Sequence, residues 1–315
     1  MRSKCSVFVD AGYLLASAAT RATGTSLRNG IHVEYRKLIE ALSRQAEEAS
    51  GLPLLRIHWY DSAKDAVPDP QQRRIGELPR VKLRLGRFGV DGQQKGVDLR
   101  IGLDLVSHAR NGAADVFFLV SGDDDLTEAV EEAQVHGVQV VILAVPSVDN
   151  KPHGVSHHLL RAADELMILP PESIHDWLVK VEAPEPAPVV VTPATPSIPT
   201  PKDLGARRPV PASPSPAVAY TASTGGRTVV YPGYDALGDL EAEVEAVVRQ
   251  VLGSYLKSAT PADVSRLAAG KPFIPSEVDR ALLLDLSDGL GTYDLSDGAR
   301  HMLRSRFWEI FEELA

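Results

Sequence analysis

The sequence has a single cysteine, Cys5, which excludes an intramolecular disulfide and fits a reducing compartment. It has no apolar run approaching the roughly 20 residues of a membrane-spanning helix. The opening "MRSKCSVFVDAGYLL" is basic and then apolar, but Asp10 breaks that run too early for a secretory leader. A surplus of positive charge is also missing: the formal net charge is −9, so nonspecific polyanion binding is not the default behaviour. Nine histidines and one cysteine give no zinc-ligand spacing, and the close trio His153, His157 and His158 reads as a loop and helix start. What remains is an expected cytoplasmic protein with no membrane partner. At 315 residues and 44% hydrophobic content, it can bury a real core in more than one domain.

Proline is present but unevenly spread. Of 23 prolines, 11 fall between Val181 and Gly226, in stretches such as "PATPSIPTPKDLGARRPVPASPSP". Such a segment supports neither ladder nor helix and reads as an extended, disordered linker. The expected organisation is a first domain over 1–180, a linker over 181–233 and a small, mainly α-helical domain over 234–315.

In the first domain the hydrophobic period alternates. "CSVFV", "LLRIHWY", "VKLRLGRF", "DVFFLV" and "VQVVILAV" read as strands. "VEYRKLIEALSRQAEEAS", "VDLRIGLDLVSHAR" and "LTEAVEEAQVHG" read as helices, the last ended by Gly137. This alternation predicts an α/β fold with a mostly parallel sheet covered on both faces. Function in such sheets sits beyond the carboxyl ends of the strands.

Acids cluster where that rule points. Asp10 ends the first strand, Asp98 opens a helix, and Asp123 and Asp125 follow "DVFFLV" within the run "SGDDD". Carboxylates sharing one sheet edge repel unless they are neutralised, which shifts their pKa values or calls for a metal. All-oxygen ligation suits Mg²⁺ or Mn²⁺. Each residue also has a plainer reading: Asp10 and Asp98 as helix caps, Asp123 and Asp125 as first-turn acids, and Asp124 as solvated surface. Asp104 points away from Asp98 on an ideal helix. Ser121 reads equally as a turn residue or as a hydrogen-bonding support for an acid, and Lys95 as a phosphate contact or a solvated loop residue.

Taken together, "VFVDAGY", "KGVDLRIGLDL" and "LVSGDDDLTEAVEEAQVHGVQVVILA", followed by "SHHLLRAADELMIL", resemble the NYN family of PIN-like nuclease domains over roughly Lys4 to Pro171. The resemblance implies a Rossmann-like three-layer sandwich and metal-dependent RNA cleavage. It maps the family's acids onto Asp10, Asp98, Asp123 and Asp125, with Asp104 as a second-tier position. Many members carry Asn where this chain has Tyr13. That departure keeps open an alternative, an RNA-binding or scaffolding module with weakened chemistry.

An RNA partner needs a grip. From Gln71 to Arg100 eight basic residues face three acids, and Arg80, Lys82, Arg84 and Arg87 on one strand are the candidate RNA contacts; a solvated basic face is the other reading. Phe88 is the only aromatic there, so a stacking platform is not indicated. The C-terminal domain has an amphipathic stripe (Leu240, Val244, Val247, Val248, Val251, Leu252, Tyr255) and a Thr260–Pro261 helix start. Its 15 acids against eight bases argue for a protein partner or self-association rather than RNA, at the end of a tether that lets it stand free of the first domain.

Overall fold

The computed structural model describes residues 3–63, 66–88, 94–181, 236–291 and 295–314; the proline-rich segment lies outside them. The chain opens with β1 (Cys5–Asp10), α1 (Ala11–Thr23), the short β2 (Ile31–Val33) and α2 (Tyr35–Ser50). Next come β3 (Leu54–Ala63), α3 (Pro70–Gly76), β4 (Val81–Phe88), the two-residue β5 (Gln94–Lys95) and α4 (Val97–Arg110). The first part finishes with β6 (Val116–Val120), α5 (Thr127–Val135), β7 (Gln139–Ala144), α6 (His157–Ala162), β8 (Glu165–Ile168), α7 (Pro171–Trp177) and β9 (Leu178–Lys180).

Six strands run parallel in the order β4-β3-β1-β6-β7-β8, and β5 adds antiparallel to β4. From β1 the chain builds outward through β3 and β4, then crosses back and builds the other way through β6, β7 and β8. The order therefore reverses beside β1, opening a crevice beyond the carboxyl ends of β1 and β6. The strands are apolar on both faces because both faces are covered. In β1, Val7 and Val9 join the core formed with α1, α2 and α7, whereas Phe8 joins the core formed with α4 and α5. The result is the expected three-layer sandwich. Gly137, at φ 81°, follows α5 in the left-handed conformation expected of a terminator. The antiparallel pair of β2 and β9 was not visible in the sequence pattern.

The helical part comprises α8 (Ala236–Ser258), α9 (Pro261–Ala269), α10 (Ser276–Leu290) and α11 (Asp297–Leu314). The predicted stripe from Val244 to Tyr255 is buried in one core with Leu282, Leu303 and Phe307. Thr260 caps α9 in a reciprocal pair with Asp263, with Pro261 in the first turn.

The expectation of a helical part standing free of the first domain does not hold. Leu27, from the loop after α1, is 1% exposed and belongs to the helical core. Asp285 of α10 accepts from Thr25 Oγ1 at 2.6 Å and from the Ser26 backbone N–H at 3.0 Å, and Gln250 of α8 donates to the Gly24 carbonyl. Residues Met1–Ala183 and Leu237–Ala315 form one compact unit. Linker length permitted separation; burial of Leu27 opposes it. Burial pushes the Asp285 carboxyl above its usual range despite these donors.

Truncating Leu27 to Ala should therefore cost about 2–5 kcal/mol. In urea, the fluorescence of Trp59 and Trp177 in the first part and of Trp308 in the helical part should shift together. A shift confined to Trp308 would show that the two parts unfold independently.

Candidate active site

Two of the sequence-selected acids sit at the crevice as caps. Asp10, the last residue of β1, caps α1 by accepting from the Gly12 N–H at 2.7 Å. Asp123 caps the 3₁₀ turn Asp124–Leu126, accepting from the Asp125 N–H at 3.0 Å. A cap occupies only part of a carboxylate's four acceptor sites, so capping and ligation are compatible. Asp98 lies in the first turn of α4, whose cap is Gly96 at φ 85°, so Asp98 is not the helix cap. Asp125 is exposed in the 3₁₀ turn beside Asp123.

These acids feel one another. Burial and then the Asp98 charge push the Asp10 carboxyl up to about 7, against the pull of the Tyr13 and Gly12 N–H groups and of Arg28. Asp98 is raised by burial and by Asp125, and Asp123 by burial and by Asp98, Asp125 and Asp124. Three carboxyls thus hold their protons more tightly than free acids do.

The turn that carries Asp123 is held from two sides. The Ser121 hydroxyl, fully buried, accepts from the Asp123 N–H at 3.3 Å. Gly122 touches the chain after β7 so closely that a Cβ there would lie 1.7 Å from the Gly154 carbonyl oxygen. Ser156 donates its backbone N–H to the Gly122 carbonyl at 3.0 Å and its hydroxyl to Asp124 Oδ1 at 2.5 Å. Asp124 is exposed, as expected, yet it holds this loop. Tyr13 completes the clamp, donating to the His153 carbonyl at 2.7 Å and accepting from the Val145 N–H at 3.3 Å.

Residues 4–170, more than half of the 315, match the family model of the NYN domain. The chain belongs to the NYN domain family. The PIN-like nuclease fold of that family agrees with the sheet and its two helical layers. The uncharacterized protein y4oD of Sinorhizobium fredii (strain NBRC 101917 / NGR234) is 43% identical over 74 residues, which is 24% of this chain and 35% of that protein. The chain thus spans about a third of that relative's length. The helices α8 to α11 fall outside the residues matched to the NYN domain.

The remaining expected residues are placed less centrally in the NYN domain. Asp104 accepts from the Tyr60 hydroxyl at 2.9 Å and pairs with Arg84 Nε at 3.0 Å. Arg84 is therefore already neutralised. Arg80 pairs with Glu47 at 3.3 Å, while Lys82 is exposed. Arg87 and Lys95 are in register across β4 and β5, but their side chains lie outside the described residues. Two residues escaped the sequence reading. Asp61, near the end of β3, accepts from Gln72 Nε2 at 2.9 Å and is raised by burial. Its signal was available, since it follows "LLRIHWY" just as Asp10 follows "SVFV". Arg28 donates to the Gly12 carbonyl at 3.2 Å, beside Asp10, and nothing in the sequence marked it.

Among the described residues, no group of three or more His, Cys, Asp and Glu side chains stands ready to hold a metal ion. The donor set fits a hard divalent cation in kind. Its members are carboxylates, and their mutual repulsion is what a cation would relieve.

The cost of ionising Asp10 has a sign that can be tested. Burial first, and then the Asp98 charge, hold the folded-state Asp10 carboxyl at about 7, well above an ordinary aspartate, so stability is lost as pH rises from about 4 through 7 and Asp10 ionises. In chelator, Asp10→Asn should unfold like the wild type near pH 3 and be more stable by about 1–4 kcal/mol at pH 8, at roughly 1.4 kcal/mol per pKa unit. Equal denaturation midpoints at pH 8 would remove the account of Asp10 as a buried acid beside Asp98. Separately, Gly122→Ala should destabilise the protein by more than about 2 kcal/mol, because the Gly154 backbone must move.

Proposed function

We propose that this protein is a metal-dependent ribonuclease that hydrolyses RNA phosphodiester bonds at Asp10, Asp98, Asp123 and Asp125. One observation carries the reading. Within an NYN domain, the carboxyls of Asp10, Asp98 and Asp123 are raised by burial first and by neighbouring aspartate charge second, at the edge where the strand order reverses. An acidic edge repels an anionic phosphodiester, so it serves hydrolysis only with a counter-charge.

Asp10, Asp98, Asp123 and Asp125 would hold Mg²⁺ or Mn²⁺. Such an ion, when bound, lowers the pKa of a water and stabilises charge on phosphoryl oxygens. The chain's own work is to hold and orient. The Gly12 N–H fixes Asp10, and Ser121 and the Asp125 N–H fix Asp123. The clamp of Gly122, Gly154 and Tyr13 restrains the turn that carries Asp123 and Asp125, limiting the geometric looseness that costs rate. Arg28 puts a fixed cation beside Asp10, where a phosphate would otherwise meet only negative charge.

A second reading, an NYN-fold RNA-binding or scaffolding module with weak chemistry, has support in Tyr13. Its hydroxyl is committed to the loop after β7, so this position offers no side-chain amide to a metal or substrate. Turnover separates the two readings. Single-stranded RNA should be cleaved with Mn²⁺ or Mg²⁺ and left intact in chelator. Asp10→Asn and Asp123→Asn should each lose at least about 100-fold in rate, on the order of 2.7 kcal/mol of barrier. RNA binding without cation-dependent cleavage would select the second reading.

A further inference from the structure

A cleft of about 1120 Å³ lies between the NYN domain and α10, with Arg28, Arg36, Asp61, Arg74, Ser276 and Arg280 among its lining residues. Asp10, Asp98, Asp123 and Asp125 are not among its lining residues, and Arg28 is the link to them. Arg28 lines the cleft and also donates to Gly12 beside Asp10, and Arg280 of α10 feels the charges of Arg28, Asp10 and Asp61. Burial and the Arg28 charge push Arg280 below its ordinary range.

The cations here differ from those on β4. Arg80 and Arg84 are spent on Glu47 and Asp104, whereas no salt bridge engages Arg28, Arg36, Arg74 or Arg280 among the described residues. Of the cleft's five acids, Asp61 is oriented by Gln72 and Asp69 by the cap of α3, which fixes their direction without cancelling a charge, and Glu34 contacts His32. Glu77 and Glu277 remain. Arg28 and Arg280 line the same cleft, and burial first and the Arg28 charge second raise the cost of keeping Arg280 charged there. The two guanidiniums suit an anion that bridges them. The cleft's aromatic, Tyr35, is packed edge-on against Trp59, which leaves charge rather than stacking as the means of recognition.

We infer that α10 forms the second wall of the RNA groove, with Arg280 and Arg28 jointly holding a backbone phosphate of a single strand next to the crevice acids. The inference rests on the ribonuclease reading of that site. On it, the helical part belongs to the substrate-binding machinery, and its overall acidity does not describe the face that meets RNA. Binding is electrostatic and indifferent to base identity.

The test uses the full chain and a labelled 12-residue oligouridylate, with affinity read by fluorescence anisotropy in chelator and cleavage read separately with Mn²⁺. Arg280→Gln should weaken binding by about fivefold or more and reduce the slope of log affinity against log salt by about 0.7, one phosphate contact on a single strand. Arg280→Lys should recover much of the affinity. Arg266→Gln, which removes an exposed charge from α9 of the same helical part, should bind like the wild type. The stabilisation of Arg280→Gln by Mn²⁺ should match the wild type, which separates lost grip from lost fold. If the wild type cleaves RNA and Arg280→Gln keeps both affinity and salt slope, the groove is overturned and the ribonuclease reading stands. If the wild type neither binds nor cleaves RNA, both are overturned.

Discussion

Like charge held close at a partly buried edge is the constraint on which the rest of this structure turns. The reversal of strand order beside β1 brings Asp10 and Asp123 to one crevice, and α4 brings Asp98 to it. Left alone, such carboxyls would separate or stay protonated. The chain prevents separation by backbone means: a helix cap on Asp10, a turn cap on Asp123, and a glycine contact too tight for any side chain between Gly122 and Gly154. The cost is burial of charge first and like-charge repulsion second, and the scaffold that bears it is the covered parallel sheet.

Much of that scaffold was legible because a sheet buried on both faces writes itself as short continuous apolar runs, and amphipathic helices write themselves between them. The acids at strand ends were legible for the same reason, since a charge directly after "SVFV" or "DVFFLV" marks the carboxyl edge. Asp61 carried that mark and was passed over because it broke no motif. Arg28 could not have been found, as its place beside Asp10 depends on how the loop after α1 folds back.

Charge counting over a segment leaves out which of its charges the fold pairs. The basic run on β4 looked like a free track, but Glu47 and Asp104 come from α2 and α4 to neutralise Arg80 and Arg84. The helical part looked uniformly acidic. Yet Asp279 pairs with Arg304, and Glu245 with Arg249 and Arg306, while Arg280, beside Asp279 in α10, lines the cleft. Net charge is a sum over a segment, and recognition depends on which charges the fold leaves unpaired.

The loop after α1 explains why the two parts belong together. Leu27 is seated in the helical core, and the residue after it, Arg28, returns to the Gly12 carbonyl at the start of α1. One turn of chain is thus anchored at one residue by the burial of a leucine and at the next by a cation beside Asp10. Freeing Leu27 from its core would remove the restraint that sets where Arg28 points. The packing of α8 to α11 is therefore coupled to the electrostatics of Asp10 through two adjacent residues, although none of the helical part is matched to the NYN domain. A helical part that only tethered the domain would need no such seat.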